Sequence, residues 1–170
     1  MLKPEVSDKD HASGPSKAPV TLVEFGDYEC PHCGRAYPII KDIQQTMGKQ
    51  LRFVFRNFPL NESHPHAFMA AVAAEAAAKQ DKFWEMHDII YEHQDSLEMD
   101  DLLDYAKQLG LDIRQFAKDI QDKSTSGKVE HDFDSGLRSG VNGTPTFFIN
   151  GKRYDGDWEN DLAQRLADSF

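Results

Sequence analysis

Residues Glu24–Pro38 read EFGDYECPHCGRAYP and contain both cysteines of the chain, Cys30 and Cys33, separated only by Pro31 and His32. Upstream, Val20–Phe25 (VTLVEF) is β-branched and aromatic and predicts a buried strand. Downstream, Ala36, Tyr37, Ile39, Ile40 and Ile43 suit a helix from Cys33 to about Met47, ended by Gly48 and kinked at Pro38. Leu51–Phe58 then alternates Leu51, Phe53 and Phe55 with Arg52, Val54 and Arg56, a second strand whose arginines are expected to face solvent. Strand, helix and strand in so short a span form a βαβ unit with parallel pairing.

That placement decides the chemistry open to Cys-Pro-His-Cys. With Pro31 at the first helical position, Cys30 becomes the helix N-cap and its sulfur faces free backbone N–H groups. Those donors and the helix dipole favour thiolate over thiol, as would a protonated His32, while Asp27 and Glu29 oppose the shift as solvated, screened charges. Cys33, one turn further in, is expected to be buried and to resolve a mixed disulfide formed at Cys30. A structural staple is a poor reading, because closing so short a loop removes little entropy from the unfolded chain. Zinc is the remaining alternative, but it commonly takes two close ligand pairs and no second Cys-X-X-Cys or His-X3-5-His is present. A redox pair after a strand and opening a helix is the favoured reading.

Further along, helical periodicity runs through Ala67–Ala78, through Phe83, Met86, His87 and Ile90, through Leu102–Leu109 and through Ile113–Ile120. Val129, Phe133 and Leu137 mark another helical face. Thr146–Ile149 and Lys152–Tyr154 flank Asn150-Gly151, a strong hairpin signal, and Leu162, Leu166 and Phe170 line a closing helix. The expected architecture is therefore one α/β domain over 19–170, βαβ then ββα, with a helical insertion at about 61–123 and a flexible polar tail at 1–18. Trp84, Phe68, Met69, Phe147 and Phe148 are expected in the core rather than along a peptide groove. His87 reads as a packing residue, and His64, His66, His93 and His131 have no partner that sequence identifies.

Composition narrows the partners. The chain of 170 residues carries a net charge of −10 without a block of like charge, which speaks against a nucleic-acid surface. Its most apolar window, Ala67–Ala78, is too short to span a bilayer, so no membrane insertion is expected. The first residues contain no apolar signal segment, which leads to a cytoplasmic expectation, with a periplasmic or other extracytoplasmic location as the alternative if the chain is part of a longer one.

Taken together, the strand, Cys-Pro-His-Cys, helix, strand, helical insertion, Gly143-Thr144-Pro145, hairpin and helix resemble the DsbA-like branch of the thioredoxin superfamily, from about Pro19 to Phe170. The resemblance implies a thioredoxin fold with an inserted helical subdomain and thiol–disulfide exchange with cysteine-containing protein substrates through Cys30. It implies that Pro145 is a cis-proline which, with Thr144, holds an extended substrate, and that Glu24 is a buried acid handling protons for Cys33. Pro31 and His32 would tune the redox poise. No cofactor is implied beyond the Cys30–Cys33 pair, and the expected partners are protein substrates and an unidentified redox partner of a monomer. Within the branch, the chain is more similar to signal-less or antiporter-fused bacterial domains. The alternatives are a cytoplasmic reductase or isomerase, and a redox-sensing peptide-binding module for a partner transporter.

Overall fold

The computed structural model describes residues 1–170. Five strands form one sheet in the order β1-β3-β2-β4-β5: β1 (His11–Ser13), β2 (Val20–Gly26), β3 (Leu51–Asn57), β4 (Thr146–Ile149) and β5 (Lys152–Tyr154). β2 and β3 are parallel, joined by helix α1 (Pro31–Met47), and the other pairings are antiparallel. Asn150 and Gly151 both take positive φ, 49° and 83°, as the tight turn between β4 and β5 requires. The expected βαβ and ββα halves are both present.

Between them lie α2 (Ala67–Ala78), α3 (Phe83–Glu92), α4 (Met99–Gln108), α5 (Ile113–Gln121) and α6 (Lys123–Arg138), and α7 (Leu162–Ala167) closes the chain. Side-chain alternation on the strands divides the interior into two layers. Leu22, Phe53, Phe55 and Phe147 pack with α1, α7 and the helical block, whereas Val23, Phe25, Val54 and Phe148 pack with Leu2, Phe58 and Val141. Phe147 and Phe148 are fully buried, while Trp84, Phe68 and Met69 pack against the larger core from its margin.

Three expectations are corrected. Residues 1–18 are not a free tail: β1 pairs with β3, Leu2 is buried, and the Leu2 amide donates to the Gly151 carbonyl at 2.9 Å. Arg56 does not face solvent. It is buried, donating to both carboxylate oxygens of Asp10 (2.8 and 3.0 Å), to the Pro4 and Glu5 carbonyls and to Ser135 Oγ. The physical reason is that the N-terminal segment and α6 cover the second sheet face, so alternation there separates two interiors rather than an interior from water. On α6, Leu137 is exposed and the buried face runs instead through Thr125, Val129, Asp132, Ser135 and Gly136. That face is polar because it serves β3: Asp132 accepts from the Asn57 amide and from Lys128, and Ser135 accepts from Arg56.

Candidate active site

β2 is the central strand and ends beneath the N-terminus of α1, so the loop Asp27–Cys30 delivers the first cysteine to a helix start. Cys30 is the N-cap, with φ −70° and ψ 123°, and Pro31 opens the helix. Its carbonyl accepts from Gly34 N at 3.0 Å, the first bond of the helix. Both cysteines are free thiols; Cys30 keeps 3% of its surface exposed and Cys33 none.

Electrostatics separate the two sulfurs. The Cys33 side chain, hydrogen-bonded to Cys30, together with Thr144 and the Cys33 and His32 amides, outweighs burial and lowers the Cys30 thiol to about 5. Burial, with the hydrogen bond to Cys30 and the Glu24 charge, pushes Cys33 well above the ordinary thiol value. At neutral pH the pair is therefore a thiolate at Cys30 and a thiol at Cys33.

Across from α1, the Thr144–Pro145 peptide bond is cis, and the Cys30 thiol donates to the Thr144 carbonyl at 3.7 Å. Thr144 Oγ1 is buried without a partner in this dithiol arrangement, yet its side chain lowers the Cys30 thiol. A hydroxyl that donates to a neighbouring sulfur favours its charged form, which is the direction in which Thr144 acts.

Glu24 lies between Phe55 on β3 and Phe147 on β4, on the strand face that looks toward α1. Burial, and secondarily the Cys30 charge, raises its carboxyl to about 8. With 3% of its surface exposed, the side chain does not reach solvent. His32 is exposed and its Nδ1 accepts from Arg35 at 2.8 Å. A guanidinium has no lone pair to offer, so in this arrangement His32 is the neutral Nε2–H tautomer and Arg35 carries the positive charge. No three His, Cys, Asp or Glu side chains converge in a way that would hold a metal.

A family model described as Thioredoxin matches residues 6–168. The chain belongs to the thioredoxin family. Its solved neighbours share the fold over nearly the whole chain. A thioredoxin-like oxidoreductase from Silicibacter pomeroyi superposes with a TM-score of 0.84 at 26% identity, over 95% of this chain and 92% of the other. Oxidised BdbD from Bacillus subtilis gives 0.81 at 26% identity, over 94% and 92%. The chain thus shares its fold with a thioredoxin-like oxidoreductase. Among curated relatives, the Na(+)/H(+) antiporter NhaA 3 of Salinispora tropica is 46% identical over 158 residues, 93% of this chain and 24% of the relative. The NhaA 1 antiporter of Mycolicibacterium vanbaalenii is 44% identical over 161 residues, 94% and 26%. The chain thus spans about a quarter of the length of the curated relatives it matches.

Several residues around this site escape sequence reasoning. Gln94, after α3, donates from Nε2 to the carbonyls of Tyr28 (2.9 Å) and Cys30 (3.0 Å). Its amide lies where a Cβ on Gly34 would stand, 2.0 Å from Gln94 Oε1, so the glycine after Cys33 is the one local signal that something approaches closely. Asp27 and Glu29 are not solvated opponents of the thiolate. Asp27 is buried and bonded to His64, and Glu29 is paired with His66, in each case at 2.8 Å. Under the site, Tyr28 donates to His87 Nδ1 at 2.9 Å; burial keeps His87 neutral and Tyr28 protonated, so the bond has one direction.

Proposed function

We propose that the protein oxidises dithiols of protein substrates, with Cys30 as the attacked and attacking sulfur and Cys33 as the resolving one. The observation that carries this reading is the Cys30 sulfur seated at the N-terminus of α1 with its thiol lowered to about 5. Stabilising the thiolate stabilises the reduced state, and a pair whose reduced state is favoured takes electrons from its substrate.

In the oxidised protein a substrate thiolate attacks Cys30 Sγ. The Cys30–Cys33 bond breaks, Cys33 leaves with the electron pair, and Glu24 supplies the proton that this buried sulfur needs. The substrate's second thiolate then attacks its own sulfur in the mixed disulfide, forming the substrate disulfide and releasing Cys30 as a thiolate. Two electrons pass from substrate to protein, and a separate disulfide partner removes them. Thr144, bound to the thiol now, offers its carbonyl to an extended substrate chain once that thiol is consumed, with Pro145 fixing the turn. Pro31 starts the helix without an orphaned N–H, and His32 contributes its amide.

An oxidant of this kind works in an oxidising compartment, which favours the extracytoplasmic alternative over the cytoplasmic one. Oxidative refolding of a reduced two-cysteine protein tests the reading: wild type accelerates it, Cys30→Ser abolishes it, and unchanged acceleration by Cys30→Ser rules the reading out. A second reading is favoured by the antiporter relatives: the domain acts on, or is joined to, a sodium–proton antiporter. Cys33→Ser cannot resolve a mixed disulfide. If the trapped partner in cells never includes such a transporter, this second reading fails.

A further inference from the structure

Two acid–histidine pairs stand immediately before the nucleophile. Asp27 and Glu29, two residues apart, face His64 and His66, also two apart, and each pair meets at 2.8 Å through the histidine Nδ1. The inner pair is the more consequential. The Asp27 side chain has no exposed surface, and its carboxylate takes four donors: Glu29 N (2.8 Å) and Cys30 N (3.1 Å) on Oδ1, Leu60 N (2.8 Å) and His64 Nδ1 (2.8 Å) on Oδ2. Two of these are local and two cross from the segment between β3 and α2. A local turn would need only the first two.

We infer that Asp27 and His64 form a positioning pair that holds the Cys30 backbone so that its sulfur stays aligned with the N-terminal amides of α1. The inference rests on the thiol–disulfide reading of Cys30. Asp27 touches neither sulfur nor substrate; it acts through Cys30 N–H, which is shared between the Asp27 carbonyl at 3.2 Å and its carboxylate. Alignment matters because the stabilising donors at Cys30, from Cys33, Thr144 and the His32 amide, act only at contact. A buried carboxylate also needs compensation, and His64 is the one titratable side chain bonded to it. His64 is 18% exposed and meets the fully buried Asp27 carboxylate through Nδ1. The groups facing Cys30 itself are Cys33, Glu24, Thr144 and the α1 amides. Glu29 and His66 form an outer pair, half-exposed, with a weaker hold.

Removing His64 leaves the Asp27 charge less compensated and its second oxygen with one donor. Both effects disfavour the Cys30 thiolate, so the sign is unambiguous. In His64→Ala, the thiolate absorbance and alkylation midpoint of reduced protein should rise by about one unit, so that alkylation at pH 5 falls about fivefold. His64→Gln, whose amide can donate to Asp27, should recover at least half of that rate, and His66→Ala should change it less than twofold. A folded His64→Ala protein that titrates like wild type, or an equal effect from His66→Ala, overturns the inference. Should His64→Ala not fold, wild type decides: the His64 ring resonance should show an inflection at the Cys30 titration that disappears in Cys30→Ser, and its absence is equally fatal. These readouts follow the thiolate and need no turnover, so they can fail while the proposed activity stands, and the reverse.

Discussion

Replacing Glu24 by glutamine tests the buried acid through stability as well as rate. Its carboxyl lies near 8 in the folded protein against an ordinary 4.5, chiefly because burial penalises the charge. Between those values the folded state holds a proton that the unfolded chain has released, so the wild type loses stability as pH rises from about 4.5 and the loss levels off above about 8. At pH 7, some 2.5 units above the unfolded value, the penalty is about 3 kcal/mol at roughly 1.4 kcal/mol per unit. Glu24→Gln removes this slope. Urea unfolding of both proteins at pH 5, 6, 7 and 8, in a Cys30→Ser, Cys33→Ser background that silences the thiols, should show the glutamine variant gaining about 1.4 kcal/mol on the parent per pH unit through pH 7. The same substitution with cysteines present should slow the step in which Cys33 leaves. Parallel stability curves across that range would refute the claim that Glu24 is held protonated by the fold.

Three other perturbations address the site's supports. Arg56→Ala leaves the Asp10 carboxylate without its cation and should destabilise the protein by about 3–5 kcal/mol, with hydrogen exchange of residues 3–13 rising first; protection unchanged in that segment contradicts the anchoring described. Gly34→Ala displaces the Gln94 amide and should lose about 1–2 kcal/mol for its two hydrogen bonds to the active-site loop, measured by denaturant unfolding. Thr144→Val removes the hydroxyl that the thiolate uses, so the Cys30 titration midpoint should rise above about 5 while thermal stability holds or improves; a midpoint that falls is the contrary result.

Local signals in the sequence reach a definite depth. The β2–α1 junction is legible because a β-branched run, a proline at the first helical position and a helical repeat each have a short-range physical cause. Asn150-Gly151 announces its turn because both residues accept positive φ. Burial of Glu24 follows once β2 is central, a fact that strand alternation cannot supply. Arg56 misleads for a related reason: alternation distinguishes two faces but not whether the second is wet or covered. The partners that cover it, Asp10 and Ser135, lie 46 and 79 residues away along the chain. The same distance hides Asp27 from His64, 37 residues apart, so that two acids next to the nucleophile read as solvated opponents when they are bonded supports.

The central claim is that the site favours its reduced state and therefore withdraws electrons from substrates. Equilibrating the Cys30–Cys33 pair with glutathione buffers of defined ratio measures this directly. A thiol lowered to about 5 by contact donors predicts a reduction potential well above that of thioredoxin, at about −200 mV or higher. A value near −270 mV or lower would make the protein a reductant and contradict the account.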